Sequence, residues 1–417
     1  MARARSRSPH ANATPLVKYT VIAIAALLLA PLAHAQLAVR GGIVYPVDGA
    51  PIEDGVVLVR DGKIERVGPA SAVVIPDGYE VREAAVVTPG LVDAYGTVGL
   101  SGILNQPQDQ DHLDTSEPIQ PELRAIDAYD PTEDLVAWVL SFGTTTVHVG
   151  PSPGAPVGGQ TAIFKTNAAT VADGLVAEAP MVAFAVGPDI RRNFESPGTR
   201  SKLIAGLREA LMEAERYVED MQAEDEAERP ARDLRKEALA RVLSGEAAAL
   251  FEAHRAHDIL TALRLADEFG LRMILSGGSE AYLVTDELKA AGVPVILHPT
   301  MMRAGGEAQN ASYETAALLR DAGIPVAIQS GYEGYVPKTR VTLFEAAVAA
   351  AHGLGMEDAL RAVTLDAAQI LGVDDRVGSL TAGKDADLVL FDGDPFEYTS
   401  HVCTVVVDGE IAADECW

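Results

Sequence analysis

Basic residues are scarce in this chain: 33 Lys and Arg stand against 60 Asp and Glu, a net charge of −27 over 417 residues. So acidic a surface repels phosphate backbones and anionic headgroups, which argues against nucleic-acid binding and against electrostatic docking to a membrane. Cysteine is rarer still. Cys403 and Cys416 are the only two, too far from the N-terminus to carry a lipid anchor there. The one Gly-x-Ser-x-Gly spacing, Gly150 to Gly154, lies in a Gly- and Pro-rich run with no helical pattern after it and so is no strand-to-helix elbow. There is no Gly-x-x-x-x-Gly-Lys-Ser/Thr loop and no Gly-x-Gly-x-x-Gly after the first strand, so three common catalytic and nucleotide-binding designs lack support. The apolar run from Val21 to Ala30 meets Pro31 well short of the roughly twenty residues that a membrane-spanning helix needs.

That run instead completes a secretory leader: a basic start, an apolar middle, and the small-x-small sequence Ala33, His34, Ala35 before Gln36. Cleavage after Ala35 predicts a periplasmic or secreted protein, with no membrane attachment once the leader is gone. The leader carries Arg3, Arg5, Arg7 and Lys18 and no acid, so its removal takes the charge from −27 to −31.

Residues 36–87 show short β-branched runs broken by turns, with Asp61-Gly62 between VVLV and KIERV as a two-residue hairpin signal. Residues 376–417 look alike: ADLVLFDGDP is followed by HVCTVVVDGEIAADECW, with Asp408-Gly409 as another hairpin turn. Neither piece has enough strands to be stable alone, so both are expected to build one small composite β-sandwich domain. The terminal hairpin sets Cys403 opposite a residue near Asp414, leaving Cys416 about two positions beyond. A disulfide closed by a bulge and a pair of free thiols are both compatible with that spacing.

Between the ends, over 88–375, apolar runs alternate with helical patterns, the signature of parallel β/α architecture. The runs fall at 85–94, 144–150, 161–166, 181–187, 248–254, 272–277, 294–299 and 325–330. Eight is the number that closes a TIM-like (β/α)8 barrel. The charge-dense stretch 200–246, with Leu203, Leu207 and Leu211 at helical spacing and Pro230 as a breaker, reads as a solvated insertion of two helices. Residues 105–122 read as a loop. Asp109, Asp111 and Asp114 within it lack the Gly and Glu of a calcium-binding EF-hand. PSPGAPVGGQ (151–160) reads as a loop over the barrel mouth and a poor phosphate cradle.

In such barrels the chemistry sits at the C-terminal strand ends. There the chain reads TPGLVDAYGTVGL, then HVGPSPGAPVGGQTAIFKT, FEAHRAHDILTALRLADEFGLRMILSGGSEAY and TLDAAQILGVDDRVGSLTAGKDADLVLFDGDP. Together these resemble the amidohydrolase superfamily, in its imidazolonepropionase-like branch, along nearly the whole mature chain. The resemblance implies a metal-dependent hydrolase of C–N bonds, in non-peptide or cyclic amides, in which imidazoles and carboxylates hold an ion that activates water. The family's ligand positions, however, carry other residues. Tyr95 and Thr97 stand for the His-x-His pair, Ala183 for a carbamylated lysine, Glu252 for the first His of His-Ala-His-Arg, Gly277 for a His and Gly331 for the water-orienting Asp.

The remaining strand-end polar residues are His148, Lys165, Glu252, His254 and His298. Of these, His254, Lys165 and Glu252 are the catalytic candidates. Two outcomes compete. In one the pocket has lost its ion and the protein is a weakly active or non-catalytic homologue needing no cofactor, with an active paralogue or a second copy of itself as the expected partner. In the other, His148, Glu252, His254 and His298 form a rearranged site able to hold zinc. A small-molecule or peptide-like ligand fits either, while His112, His257, His352 and His401 are expected to be structural or exposed.

Overall fold

The computed structural model describes residues 36–104, 106–332 and 340–416; the leader and its cleavage point lie outside these. Four strands come first: β1 (Leu37–Val44), β2 (Ile52–Arg60), β3 (Lys63–Pro69) and β4 (Glu80–Pro89). The barrel strands follow: β5 (Leu91–Gly96), β6 (Thr144–Val149), β7 (Val157–Lys165), β8 (Leu175–Ala185), β9 (Ala248–Ala253), β10 (Met273–Gly277), β11 (Val295–Leu297) and β12 (Val326–Ile328). β13 (Leu388–Phe391), β14 (Val402–Val407) and β15 (Glu410–Ala413) end the chain.

Both chain ends share one seven-stranded sheet, in the order β15-β14-β13-β4-β1-β2-β3. Its two Asp-Gly turns have positive φ at both residues, 52° and 76° at Asp61-Gly62 and 50° and 81° at Asp408-Gly409, the geometry that suits a tight hairpin. The sheet curls until these turns meet: a Cβ on Gly62 would stand 2.9 Å from the Asp408 carbonyl oxygen. Leu37, Val39, Val57, Val59, Leu388, Leu390 and Val406 fill the enclosed core. A one-residue bulge between Val405 and Val406 shifts the β14–β15 register, and Cys403 and Cys416 are joined in a disulfide with their Cα atoms 3.8 Å apart. The bulge closes part of the offset that an unbroken hairpin would leave.

The eight barrel strands follow one another in sequence order, and the seam between β12 and β5 is bridged where the Gly331 N–H donates to the Tyr95 carbonyl. Val92, Ala94, Ile163, Met181, Ala248, Leu250, Ile274, Ile296 and Ala327 fill the interior. Two features depart from the sequence expectation. The run 85–94 is two strands: β4 stays in the small sheet and β5 enters the barrel, with Gly90 between them where a Cβ would lie 2.1 Å from Thr145 Oγ1. The second departure is direction, since β7 runs antiparallel to both β6 and β8. Only residues 150–156 separate β6 from β7, too few for the crossover of a dozen or more residues that a parallel return requires.

The stretch 200–246 forms the expected two helices, Arg200–Asp220 and Leu234–Leu243, capped by the Thr199 and Asp233 side chains. It is not a free insertion. Leu203, Leu207, Leu211, Leu239 and Val242 pack into the main barrel core, so the charges mark only the solvent side of an amphipathic layer.

Candidate functional site

A cavity of about 400 Å³ opens at the C-terminal ends of the strands, lined by Tyr95, Thr97, Arg192, Glu252, His254, Gly277, His298, Glu307, Gln329, Gly331 and Tyr332 among others. Glu252 and His254, two apart at the end of β9, point the same way, as period two requires. His254 Nε2 lies 2.9 Å from Glu252 Oε1. The other carboxylate oxygen accepts from Ser276 Oγ at 2.7 Å, and Ser276 Oγ in turn accepts from Gln329 Nε2 at 3.2 Å. Burial opposes the charge on Glu252, but the bonds from His254 and Ser276 outweigh it and hold the carboxyl below its usual range. An ionised Glu252 requires the proton on His254 Nε2, which leaves Nδ1 to accept from Ser279 Oγ at 2.7 Å. Ser279 is fully buried. Both nitrogens of His254 are thus engaged within the protein.

His298 differs. Its Nδ1–H donates to the Pro299 carbonyl at 2.7 Å, burial pushes its pKa down to about 4, and its buried Nε2 has no hydrogen-bond partner among the described residues. It therefore brings a neutral imidazole with an open lone pair to the cavity wall.

Two sequence candidates stand elsewhere. His148 is fully buried within the barrel. Its Nδ1–H donates to the Ala94 carbonyl and its Nε2 accepts from Thr161, both at 2.7 Å, and burial lowers its pKa to about 4. It belongs to no ligand set with Glu252 and His254. Lys165 ends the antiparallel strand β7, and so lies at the opposite end of the barrel from the cavity. There Nζ contacts Asp387 at 2.6 Å, Asp408 at 3.1 Å and Asp385 at 3.2 Å. Burial works against the ammonium, yet the three carboxylates raise its pKa. It ties barrel to sheet and is no catalytic candidate.

The family's metal does not fit the residues present. Tyr95 donates its hydroxyl to the Pro151 carbonyl at 2.6 Å, Thr97 accepts from Ser101 Oγ, and Ala183 offers no donor. A Cβ on Gly277 would start 3.0 Å from His254 Cε1 and 3.1 Å from Glu252 Oε1, so ring and carboxylate fill the space of the family's imidazole. At Gly331, with φ of 68°, a Cβ would collide with Pro299 at 2.6 Å. Among the described residues no group of three or more His, Cys, Asp or Glu is placed to hold an ion. Asp93, the carboxylate of the PGLVD stretch, accepts from the Ser330 N–H at 2.8 Å in a site whose burial pushes its pKa up to about 7.

Sequence reasoning passed over Ser276, Ser279, Glu307, Gln329 and Tyr332. The two serines sit inside SGGSEAY and Gln329 two residues before Gly331, so neighbourhood to replaced ligand positions was a usable signal. Glu307, in the short 3-10 turn Gly306–Ala308, and Tyr332 belong to no motif.

The amidohydrolase family pattern matches residues 202–412. A solved amidohydrolase from Thermotoga maritima superposes with a TM-score of 0.85 at 31% identity, covering 90% of this chain and 99% of that one. The chain belongs to the amidohydrolase family, and stretches of it are similar to imidazolonepropionases. Amidohydrolase tasK of Hapsidospora irregularis is 26% identical over 90% of this chain, and the imidazolonepropionase of Shewanella frigidimarina is 36% identical over 23% of it. The chain spans 43% of the first of these curated relatives and 25% of the second. A prolidase complexed with N-methylphosphonate-L-proline shares the fold, with a TM-score of 0.55 at 18% identity.

Proposed function

We propose that this protein is an exported amidohydrolase homologue whose barrel cavity binds a small or peptide-like ligand but does not run the family's metal-activated hydrolysis, so that activity on C–N bonds is weak or absent. The observation that carries this reading is the replacement of the ligand set: Tyr95, Thr97, Ala183, Gly277 and Gly331 supply no ligating imidazole or carboxylate, and His254 is tied on both nitrogens. Hydroxide generation needs the whole constellation at once. Binding needs less. Ionised Glu252 and the open His298 Nε2 accept hydrogen bonds from a donor-rich ligand, and the tyrosines 95 and 332 offer apolar faces. The leader supports export, and a Cys403–Cys416 disulfide suits an oxidising compartment. A non-catalytic subunit beside an active paralogue would use the same cavity.

One observation favours a rearranged metal site instead: Glu252, His254 and His298 line one cavity. Elemental analysis of protein purified from its own host, with a hydrolysis screen over dipeptides and cyclic amides, separates the two. The expected result is well below one zinc per chain and hydrolysis no faster than in Glu252→Ala. Stoichiometric zinc that disappears with Glu252→Ala or His254→Ala, together with turnover, would overturn the proposal.

A further inference from the structure

At the N-terminal ends of β10, β11 and β12, on the face opposite the cavity just described, lies a second recess of about 620 Å³. Three arginines line it in a chain with nearly twice as many acids as bases: Arg272 before β10, Arg320 in the helix Thr315–Asp321, and Arg361 in the helix Met356–Ala362. Asp366 is the one carboxylate in the lining. It is buried and shared, taking Arg320 on Oδ2 and Arg361 on Oδ1, the latter at 2.8 Å. Against three guanidinium groups stand Asp366 and, at 3.7 Å from Arg320, Asp358, so one positive charge is left over. Among the described residues Arg320 Nε is buried without a hydrogen-bond acceptor, pairing instead with Asp358, and Arg272 makes one long contact, 3.4 Å to the Glu246 carbonyl. Pro294, Pro325, Gly292, Gly323 and Gln369 complete the lining.

We infer that this recess is a binding site for a small oxyanion, a phosphate or carboxylate group carried by a small molecule. The planar fork of an arginine matches both groups with paired hydrogen bonds, and an arriving anion would take its donors from the guanidinium groups of Arg272, Arg320 and Arg361 that line the recess. In a molecule whose overall field repels anions, a local recess of this sign has to act at short range, so binding should weaken steeply with salt.

The test is calorimetric titration of the mature full-length protein at low ionic strength with inorganic phosphate in one arm and citrate in the other. Saturable one-site binding is expected in at least one arm, and the stronger arm names the group. Arg272→Gln should weaken it about tenfold. Because Arg320 and Arg361 also hold Asp366, their variants could fail to fold; Asp366→Asn removes that ambiguity, since it frees two guanidinium groups and should tighten binding severalfold. No saturable binding by either wild type or Asp366→Asn, or binding that ignores both Arg272→Gln and Asp366→Asn, would overturn the inference.

Discussion

Two clusters of charged and titratable side chains, one at each end of the barrel, are used in opposite ways. Where β7 ends, on the N-terminal side, Lys165 meets Asp385, Asp387 and Asp408, with Lys63 and Arg376 closing on Asp385 from outside. Every charge in this cluster has a partner, and the partners come from both domains. At the C-terminal end Glu252 and His254 satisfy each other and two serines, while His298 keeps an unpaired nitrogen. A junction is built by completing its hydrogen bonds, and a ligand site by leaving some open. The difference explains why the lysine, the most suggestive lone cation of the strand-end set, is structural.

The comparison breaks most sharply at Lys165. Lys165→Met should destabilise the protein by about 3–5 kcal/mol, because buried Asp387 loses its counter-ion while Asp385 keeps Lys63 and Arg376 and Asp408 is half-exposed; denaturant melts check it, and a loss under about 1 kcal/mol would mean that water reaches the cluster and the two ends differ less.

Acid titration probes the imidazoles next. Folded His148 and His298 protonate only near pH 4, whereas an unfolded histidine does so near 6.5. Their contribution to stability is therefore fully present above about pH 6.5 and is lost as pH falls toward 4, by roughly 3 kcal/mol for each ring. Melting curves between pH 7 and 4 should show the loss, and His148→Gln and His298→Gln should each flatten the curve by part of it. A ligand that donates to His298 Nε2 would leave the His148 share unchanged, which sharpens the distinction between a wall residue and a site residue.

The smallest effect belongs to Gly277. Gly277→Ala places a Cβ at φ of 86° and 3.0 Å from the His254 ring, which should cost on the order of 1 kcal/mol and displace His254 from Glu252. The NMR signal of the His254 imidazole reports that displacement. An unaltered signal would show that the pair does not depend on an empty position beside it.

Much of this protein was determined by sequence alone, wherever the signal is local. Asp61-Gly62 and Asp408-Gly409 announce hairpins because few residues tolerate two successive positive φ angles. The eight apolar runs announce barrel strands because both faces are buried. Glu252 and His254 share a face by strand periodicity, so their partnership was legible too. Strand direction was not. A seven-residue connection turns β7 around and carries Lys165 to the far end, although Lys165 and His148 look alike in sequence as polar residues near strand ends. Whether a nitrogen is spent or open was likewise decided only in three dimensions: His148, His254 and His298 are the same side chain, and what separates them is whether Thr161, Ser279 or nothing stands within hydrogen-bonding reach. Partners brought in from distant segments set protonation and availability, and no spacing along the chain encodes them.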